Sequence, residues 1–176
     1  LAIPKETLLR KIAYQVGAVE EVTDLCALYD GVVVVHVVSC EQHPNADKLH
    51  VCKIDDGGVV AGVERDDANL VQVVCGAPNV REGLVVAWIP PGATVPSSRD
   101  EQEPFVLGKR DIRGVVSNGM LASPKELGLY ESHEGILEIS VDEVGQELAT
   151  PGTEFRKLYG LDDLLIDIEN KMFTHR

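Results

Sequence analysis

Basic and small polar side chains are concentrated in one short stretch of this sequence, residues 109–125. In chain order they are Lys109, Arg110, Arg113, Ser117, Asn118 and Lys125, and Met120 among them adds a flexible apolar contact. Residues 104–125 hold four basic side chains and one acidic one, whereas the whole chain has a formal net charge of −13. Clustered positive charge binds phosphate by releasing counterions, and nearby small polar groups can bond to sugars or bases. The stretch is a candidate nucleic-acid site, although an ordinary solvated surface would carry similar charges.

Two earlier segments could add polar groups to this site. The first, residues 43–49, reads HPNADKL, and its Lys48 is free to point at solvent or at a phosphate. The second, residues 74–80, reads VCGAPNV and places Asn79 in a turn after an apolar run. We predict that the second segment is mainly structural. The first either contacts a nucleic acid through Lys48 or is simply a stable loop.

The patterns of other kinds of site are missing or weak. There is no G-x-x-x-x-G-K-[ST] phosphate loop and no G-x-S-x-G elbow, so we predict no catalytic site. Cys40-x-x-His43 and His50-x-Cys52 suggest zinc superficially, but they lack the usual ligand spacing, and we prefer free thiols in a reducing compartment. No apolar run approaches the roughly 20 residues of a membrane span. Without a secretory signal pattern, we expect a cytoplasmic protein.

The elements that must position these groups are mostly short strands. Apolar or alternating runs bounded by glycine and proline turns predict strands at residues 32–38, 49–54, 70–75, 84–89, 114–120 and 135–139. Short strands at such close spacing are typical of a small closed or partly open barrel. Residues 65–69 and 97–103 are polar and charged, which predicts surface loops.

The two ends of the chain predict additional structure outside the barrel. Apolar residues at i, i+4 and i+8 predict a helix over residues 4–16, and residues 19–22 could begin a short strand. Near the other end, residues 165–169 alternate like a strand that has no later partner. We therefore predict that these two strands pair with each other and that the chain is truncated at its C-terminus.

This pairing gives a predicted division of the chain into two units. Residues 31–150 form the barrel, and residues 1–30 together with 151–176 form a partial α+β unit around it. The expected fold is mainly β with some α.

The three polar segments, in this order and with their flanks, resemble the tRNA-binding oligonucleotide-fold (OB-fold) domain of several aminoacyl-tRNA synthetases. More narrowly, they resemble the copy near the N-terminus of the bacterial phenylalanyl-tRNA synthetase beta subunit. The likeness includes VGAVEEV at residues 16–22 and YGLDD at residues 159–163. It implies a five-stranded OB-fold barrel inserted into a small, discontinuous α+β unit. The candidate tRNA contacts are Lys48, Asn79, Lys109, Arg110, Arg113, Ser117, Asn118, Met120 and Lys125.

The resemblance also implies partners and cofactors beyond this chain. In that family an α₂β₂ enzyme uses ATP and Mg²⁺ to join phenylalanine to its tRNA, with catalysis in the alpha subunit and editing further along the beta subunit. We expect tRNA, the rest of the beta subunit and the alpha subunit as partners. We expect no catalytic residue, metal, cofactor, DNA or membrane contact in this chain.

Any RNA contact should depend on phosphate and shape more than on base sequence, and the acidic balance should make it weak for this chain alone. Two alternatives stay open. The chain could be a structural OB domain that supports subunit architecture with little RNA affinity, or a free-standing tRNA-binding protein.

Overall fold

The computed structural model describes residues 4–15, 18–99, 101–132, 134–161 and 163–169, and in these ranges the fold is mainly β. Two 3-10 helices, at Pro96–Ser98 and Phe155–Lys157, accompany the longer elements. In chain order the helices and strands are α1 (Lys5–Gln15), β1 (Ala18–Asp24), α2 (Leu25–Leu28), β2 (Val33–Gln42), β3 (His50–Asp55), β4 (Val71–Cys75), β5 (Val85–Ile89), β6 (Lys109–Ile112), β7 (Val115–Asn118), β8 (Met120–Leu121), α3 (Val141–Val144) and β9 (Leu164–Glu169).

Five antiparallel strands form a nearly closed, OB-like barrel. Their order is β4-β3-β2-β5-β8, and the predicted five-stranded barrel is therefore confirmed. All five residues of β5 are buried, and its Trp88 has no exposed surface. Valine-rich strands such as β2 and β5 suit this role because branched side chains pack well against neighbours on a pleated surface.

Side-chain hydrogen bonds join β7 to the outer edge of β4. The Ser117 hydroxyl accepts a hydrogen bond from the Val74 amide at 2.9 Å. Asn118 Nδ2 donates to the Gln72 carbonyl at 3.1 Å, and Gln72 Nε2 donates to the Val116 carbonyl at 2.9 Å. These bonds occupy backbone groups that an edge strand would otherwise leave unpaired.

The predicted strand at residues 114–120 is interrupted in the structure. Gly119 has a φ of 77° and separates β7 from β8. A Cβ at this position would lie 2.2 Å from the Ile89 carbonyl oxygen, so the close approach of the two backbones requires glycine.

The prediction of a strand at residues 135–139 is wrong, because this run makes a single β-bridge, between Val86 and Glu138. Its backbone still bonds to the barrel, with the Ile139 amide donating to the Val85 carbonyl at 2.8 Å. The fifth strand of the barrel is β8 instead.

The predicted pairing between the two ends of the chain is confirmed. Strands β1 and β9 are antiparallel, with Val22 opposite Ile166 and Val19 opposite Ile168. The predicted helix is α1, while residues 16, 17 and 170–176 lie outside the described residues. Within the described ranges, each helix is too short or too polar to cross a bilayer.

The barrel core includes residues on both sides of the predicted unit boundaries. The rings of Tyr29 and Phe155 lie 5.4 Å apart, and Phe155 is fully buried in the same cluster as Val32. The Phe155 amide donates to the Val32 carbonyl at 2.9 Å, and the Val34 amide donates to the Thr153 carbonyl at 2.8 Å. The boundaries at 30/31 and 150/151 stay a prediction, but core packing continues across them.

Candidate nucleic-acid interface

The loop between β2 and β3, residues 43–49, lies against the β6–β7 hairpin. His43 Nδ1 accepts a hydrogen bond from the Asn45 amide at 3.0 Å, so its Nε2 carries the proton and donates to the Ile112 carbonyl at 3.0 Å. Asn45 Nδ2 donates to the Arg113 carbonyl at 2.9 Å, and Arg113 Nη1 donates to the Asn45 carbonyl at 3.2 Å. The first and third polar segments therefore form one surface.

A tight turn presents the basic side chain at the end of the hairpin. Arg113 and Gly114 have φ values of 53° and 87°, the two positive values of a type I′ turn. The Asp111 carboxylate accepts a hydrogen bond from the Gly114 amide at 2.8 Å, which supports the turn. Arg113 is left exposed at the tip, beside the 43–49 loop.

Four exposed basic residues lie on this loop and hairpin, and we call them the basic edge: Lys48, Lys109, Arg110 and Arg113. Lys109 forms an ion pair with Glu64. Among the described residues, no carboxylate lies within ion-pair distance of the other three. Most of this positive charge is therefore available to an anionic ligand.

An exposed aromatic ring beside the basic edge was missed by the sequence predictions. Phe105 is 43% exposed, and the Arg110 guanidinium lies 5.4 Å from the centre of its ring. Its backbone is fixed, since the Phe105 amide donates to the Ser98 hydroxyl at 2.8 Å and its carbonyl accepts from the Val95 amide at 2.9 Å. Burial of Ser98 anchors the predicted surface loop 97–103. The sequence gives no signal for the exposure of this ring, which follows from tertiary packing.

Two predicted contact residues are placed inside the barrel wall. Ser117 and Asn118 are each 2% exposed. Besides their bonds to β4, the Ser117 hydroxyl donates to the Gly119 carbonyl at 3.0 Å, and the Asn118 carbonyl accepts from Trp88 Nε1 at 2.9 Å. Their contact with RNA stays a prediction, but their polar groups are already bonded within the protein.

The Asn79 side chain joins its own loop to residues 136–138. Its Nδ2 donates to the Ile136 carbonyl, and its Oδ1 accepts from the Ile136 amide, both at 3.0 Å. Nδ2 also donates to Glu138 Oε1 at 3.0 Å. Arg81, and after it Asn79, hold the pKa of Glu138 below its ordinary value. The predicted structural role of the 74–80 segment fits these contacts.

Met120 and Lys125 lie near carboxylates. Met120 is half-buried and lines a groove of about 280 Å³ between residues 74–78 and 120–126, together with Glu126. Lys125 forms an ion pair with Glu131 at 3.0 Å. The negative charge makes this side of the molecule a poorer site for phosphate than the basic edge.

No metal site accompanies the interface within the described ranges, where no group of three or more His, Cys, Asp or Glu side chains could hold an ion. The four cysteines make no disulfide, and Cys52 and Cys75 are buried.

Comparison with known proteins agrees with this geometry. A family model described as a putative tRNA binding domain matches residues 32–147. The phenylalanine–tRNA ligase beta subunit of Nitrobacter winogradskyi is 38% identical over 94% of this chain and 19% of the relative. The beta subunits of the same name from Pseudomonas fluorescens and Pectobacterium atrosepticum are 36% and 41% identical, over 95% of this chain and 18% of each relative. The chain thus spans roughly a fifth of these relatives.

Proposed function

This chain belongs to the putative tRNA binding domain family, and from that premise we propose that it binds tRNA through the basic edge. The observation that carries the proposal is the contact between the 43–49 loop and the β6–β7 hairpin, which brings Lys48 and Arg113 to one surface. OB folds bind oligonucleotides with the loops that follow their first and fourth strands. In this barrel those loops are residues 43–49 and the connection from β5 to β8.

The chemistry of this surface suits a phosphate backbone. Lys48, Arg110 and Arg113 are exposed and can contact phosphates directly, whereas Lys109 must first exchange its ion pair with Glu64. The Phe105 ring with the Arg110 guanidinium offers a planar surface on which an unpaired base can stack. Phosphate contacts position the RNA, and stacking tolerates any base, so binding is largely independent of sequence.

The names of the relatives support a place in a larger enzyme. We propose that the chain is the tRNA-binding part of a phenylalanine–tRNA ligase beta subunit in the cytoplasm, and that it assembles with the rest of that subunit and with an alpha subunit in an α₂β₂ enzyme. ATP and Mg²⁺ would serve aminoacylation at a site outside this chain. No catalytic step is assigned to the residues of the barrel.

Titration of tRNA at several salt concentrations tests the proposal. We expect the logarithm of the affinity to fall linearly with the logarithm of salt concentration, because each phosphate contact releases counterions. Lys109→Glu/Arg113→Glu should abolish measurable binding at moderate salt. The matched control is Arg10→Glu/Lys11→Glu, which makes the same change in net charge on the exposed surface of α1 and should bind like the unaltered chain.

Equal losses in both double variants would show that net charge, and not the basic edge, controls affinity. Absence of binding by the unaltered chain even at low salt would instead favour a structural OB domain. The net charge of −13 is the observation that keeps this second function in consideration.

A further inference from the structure

Two thiols face each other across β2 and β3. Cys40 and Cys52 are directly opposed in the register of these strands, and their Sγ atoms lie 3.6 Å apart. Further along the same pair of strands, the His43 amide donates to the Leu49 carbonyl at 2.9 Å. Bonded and non-bonded pairs alternate in an antiparallel ladder, which makes the two cysteines a non-hydrogen-bonded pair. In such pairs the Cα atoms approach to about 4.5 Å, within the range that a disulfide spans.

We propose that Cys40 and Cys52 form a reversible cross-strand disulfide, with a small-molecule disulfide such as oxidised glutathione as the oxidant. Bond formation requires the Sγ separation to fall from 3.6 Å to about 2.05 Å, a change within the reach of side-chain rotation. The pair is not already oxidised in the structure, as both thiols are free.

The surroundings of the two thiols give the order of the steps. Cys40 is half-buried, while Cys52 is fully buried, and burial raises the pKa of the Cys52 thiol. Cys40, as thiolate, therefore attacks one sulfur of glutathione disulfide and releases one glutathione. Cys52 then loses its proton and attacks Cys40 Sγ, which releases the second glutathione. The protein loses two electrons and two protons, and the oxidant gains them as two glutathione thiols.

Neither of the other two cysteines lies directly opposite a thiol in the register of the described strands. Cys75 is opposite His50, and its Sγ accepts a hydrogen bond from the Ala77 amide. Cys26 lies in α2, outside the barrel strands, with its Sγ against the Arg156 guanidinium.

The disulfide would fasten the strands at the base of the 43–49 loop, which contacts the β6–β7 hairpin. Oxidation would thus restrain the 43–49 loop and the ends of β2 and β3 from which it extends. This inference rests on the sheet register and does not depend on tRNA binding.

Thiol mapping of the whole chain tests the proposal. The protein is equilibrated in glutathione buffers of increasing oxidised fraction, quenched with acid, labelled with N-ethylmaleimide and analysed as intact protein and as peptides. We expect the loss of two hydrogens, two fewer labels and a link between the Cys40 and Cys52 peptides that dithiothreitol reverses. Cys40→Ser and Cys52→Ser should each abolish the link, and Cys26→Ser and Cys75→Ser should retain it.

Full labelling of both thiols in the most oxidising buffer would overturn the inference. So would a reaction that stops at a Cys40–glutathione adduct, or a link that uses Cys75. If a serine variant fails to fold, as judged by circular dichroism, the peptide map of the unaltered chain decides the question by itself.

Discussion

Asp56, the first residue after β3, fixes the polar loop that follows it. The carboxylate is fully buried and binds both terminal nitrogens of Arg65, at 2.6 and 2.9 Å. It also accepts hydrogen bonds from the amides of Gly58 and Val60. Burial opposes ionisation, but Arg65 and these amides outweigh it, so the pKa of Asp56 lies below its ordinary value.

Replacement of Asp56 by asparagine should change both the stability and its pH dependence. A group with a lowered folded pKa contributes stability that is fully present above its unfolded pKa of about 3.9. That stability is lost as the pH falls through the lower folded value. Asp56→Asn should destabilise the chain by about 3 kcal/mol at neutral pH, because it leaves Arg65 without its anion. The free energy of unfolding should then fall less steeply as the pH is lowered below about 4, because the group that titrates there is missing.

Urea unfolding over a pH series measures this effect. Asp67→Asn, an exposed carboxylate in the same loop, is the control and should change stability by less than about 0.5 kcal/mol. If Asp56→Asn lost stability at low pH as steeply as the unaltered chain does, another carboxylate would be responsible for that loss.

Ser117 tests whether a residue of the third segment acts in barrel closure or in RNA contact. Loss of its hydroxyl leaves the buried Val74 amide without a partner, so Ser117→Ala should lower the free energy of unfolding by about 1–3 kcal/mol. The folded protein should still bind tRNA with unchanged affinity. Ser140→Ala is the control, because Ser140 is exposed and its side chain makes no cap hydrogen bond to α3. Weaker tRNA binding at unchanged stability would instead assign Ser117 to the interface.

At the scale of elements, the 43–49 loop holds the tip of the β6–β7 hairpin, and Asn45 supplies one of the hydrogen bonds between them. Asn45→Ala removes the hydrogen bond to the Arg113 carbonyl. We expect faster amide hydrogen exchange in residues 109–116, weaker tRNA binding and a stability loss of about 1 kcal/mol. Amides of the β1–β9 sheet serve as the internal control and should keep their exchange rates. Unchanged exchange in the hairpin would mean that the remaining bonds, from His43 to Ile112 and between β7 and β4, are enough to hold it.

The elements that could be predicted from the sequence are those whose own residues show a clear apolar pattern. Residues 84–89 form a continuous apolar run, and β5 matches them closely, since such a run must be buried. The 109–112 strand was not predicted, because three of its four residues are exposed and charged and the strand pairs with β7 through the turn at Arg113.

The contact residues divide in the same way. The charge of the basic edge is visible in the sequence. The burial of Ser117 and Asn118 is not, because it depends on β4, a strand more than 40 residues away in the chain.

For the whole molecule, the uneven distribution of charge limits the distance over which the basic edge can attract RNA. Residues 126–176 hold twelve acidic and four basic side chains, so this part of the chain repels RNA. At physiological salt the screening length is about 8 Å, and the distant carboxylates then have little influence on a phosphate at the hairpin tip. Moderate salt weakens the repulsion as well as the attraction, and short-range geometry at the basic edge decides whether tRNA binds.

The range of chain needed for a stable barrel is a further property of the whole molecule. A chain limited to residues 31–150 lacks Tyr29, Phe155 and Leu158, which are all buried in the barrel core. Loss of one buried phenylalanine side chain costs about 3–5 kcal/mol, and a domain has only about 5–15 kcal/mol in total. We therefore expect this shorter chain to show no cooperative thermal transition.

A chain of residues 29–161 is the matched control. It restores these core side chains and the backbone bonds to Val32 and Val34, but it omits the β1–β9 sheet. We expect it to unfold cooperatively, with a melting temperature close to that of the full chain. A cooperative transition of equal stability in residues 31–150 would support the boundaries predicted from the sequence. Failure of both chains would mean that the barrel depends on the β1–β9 sheet, and the two units would then fold as one.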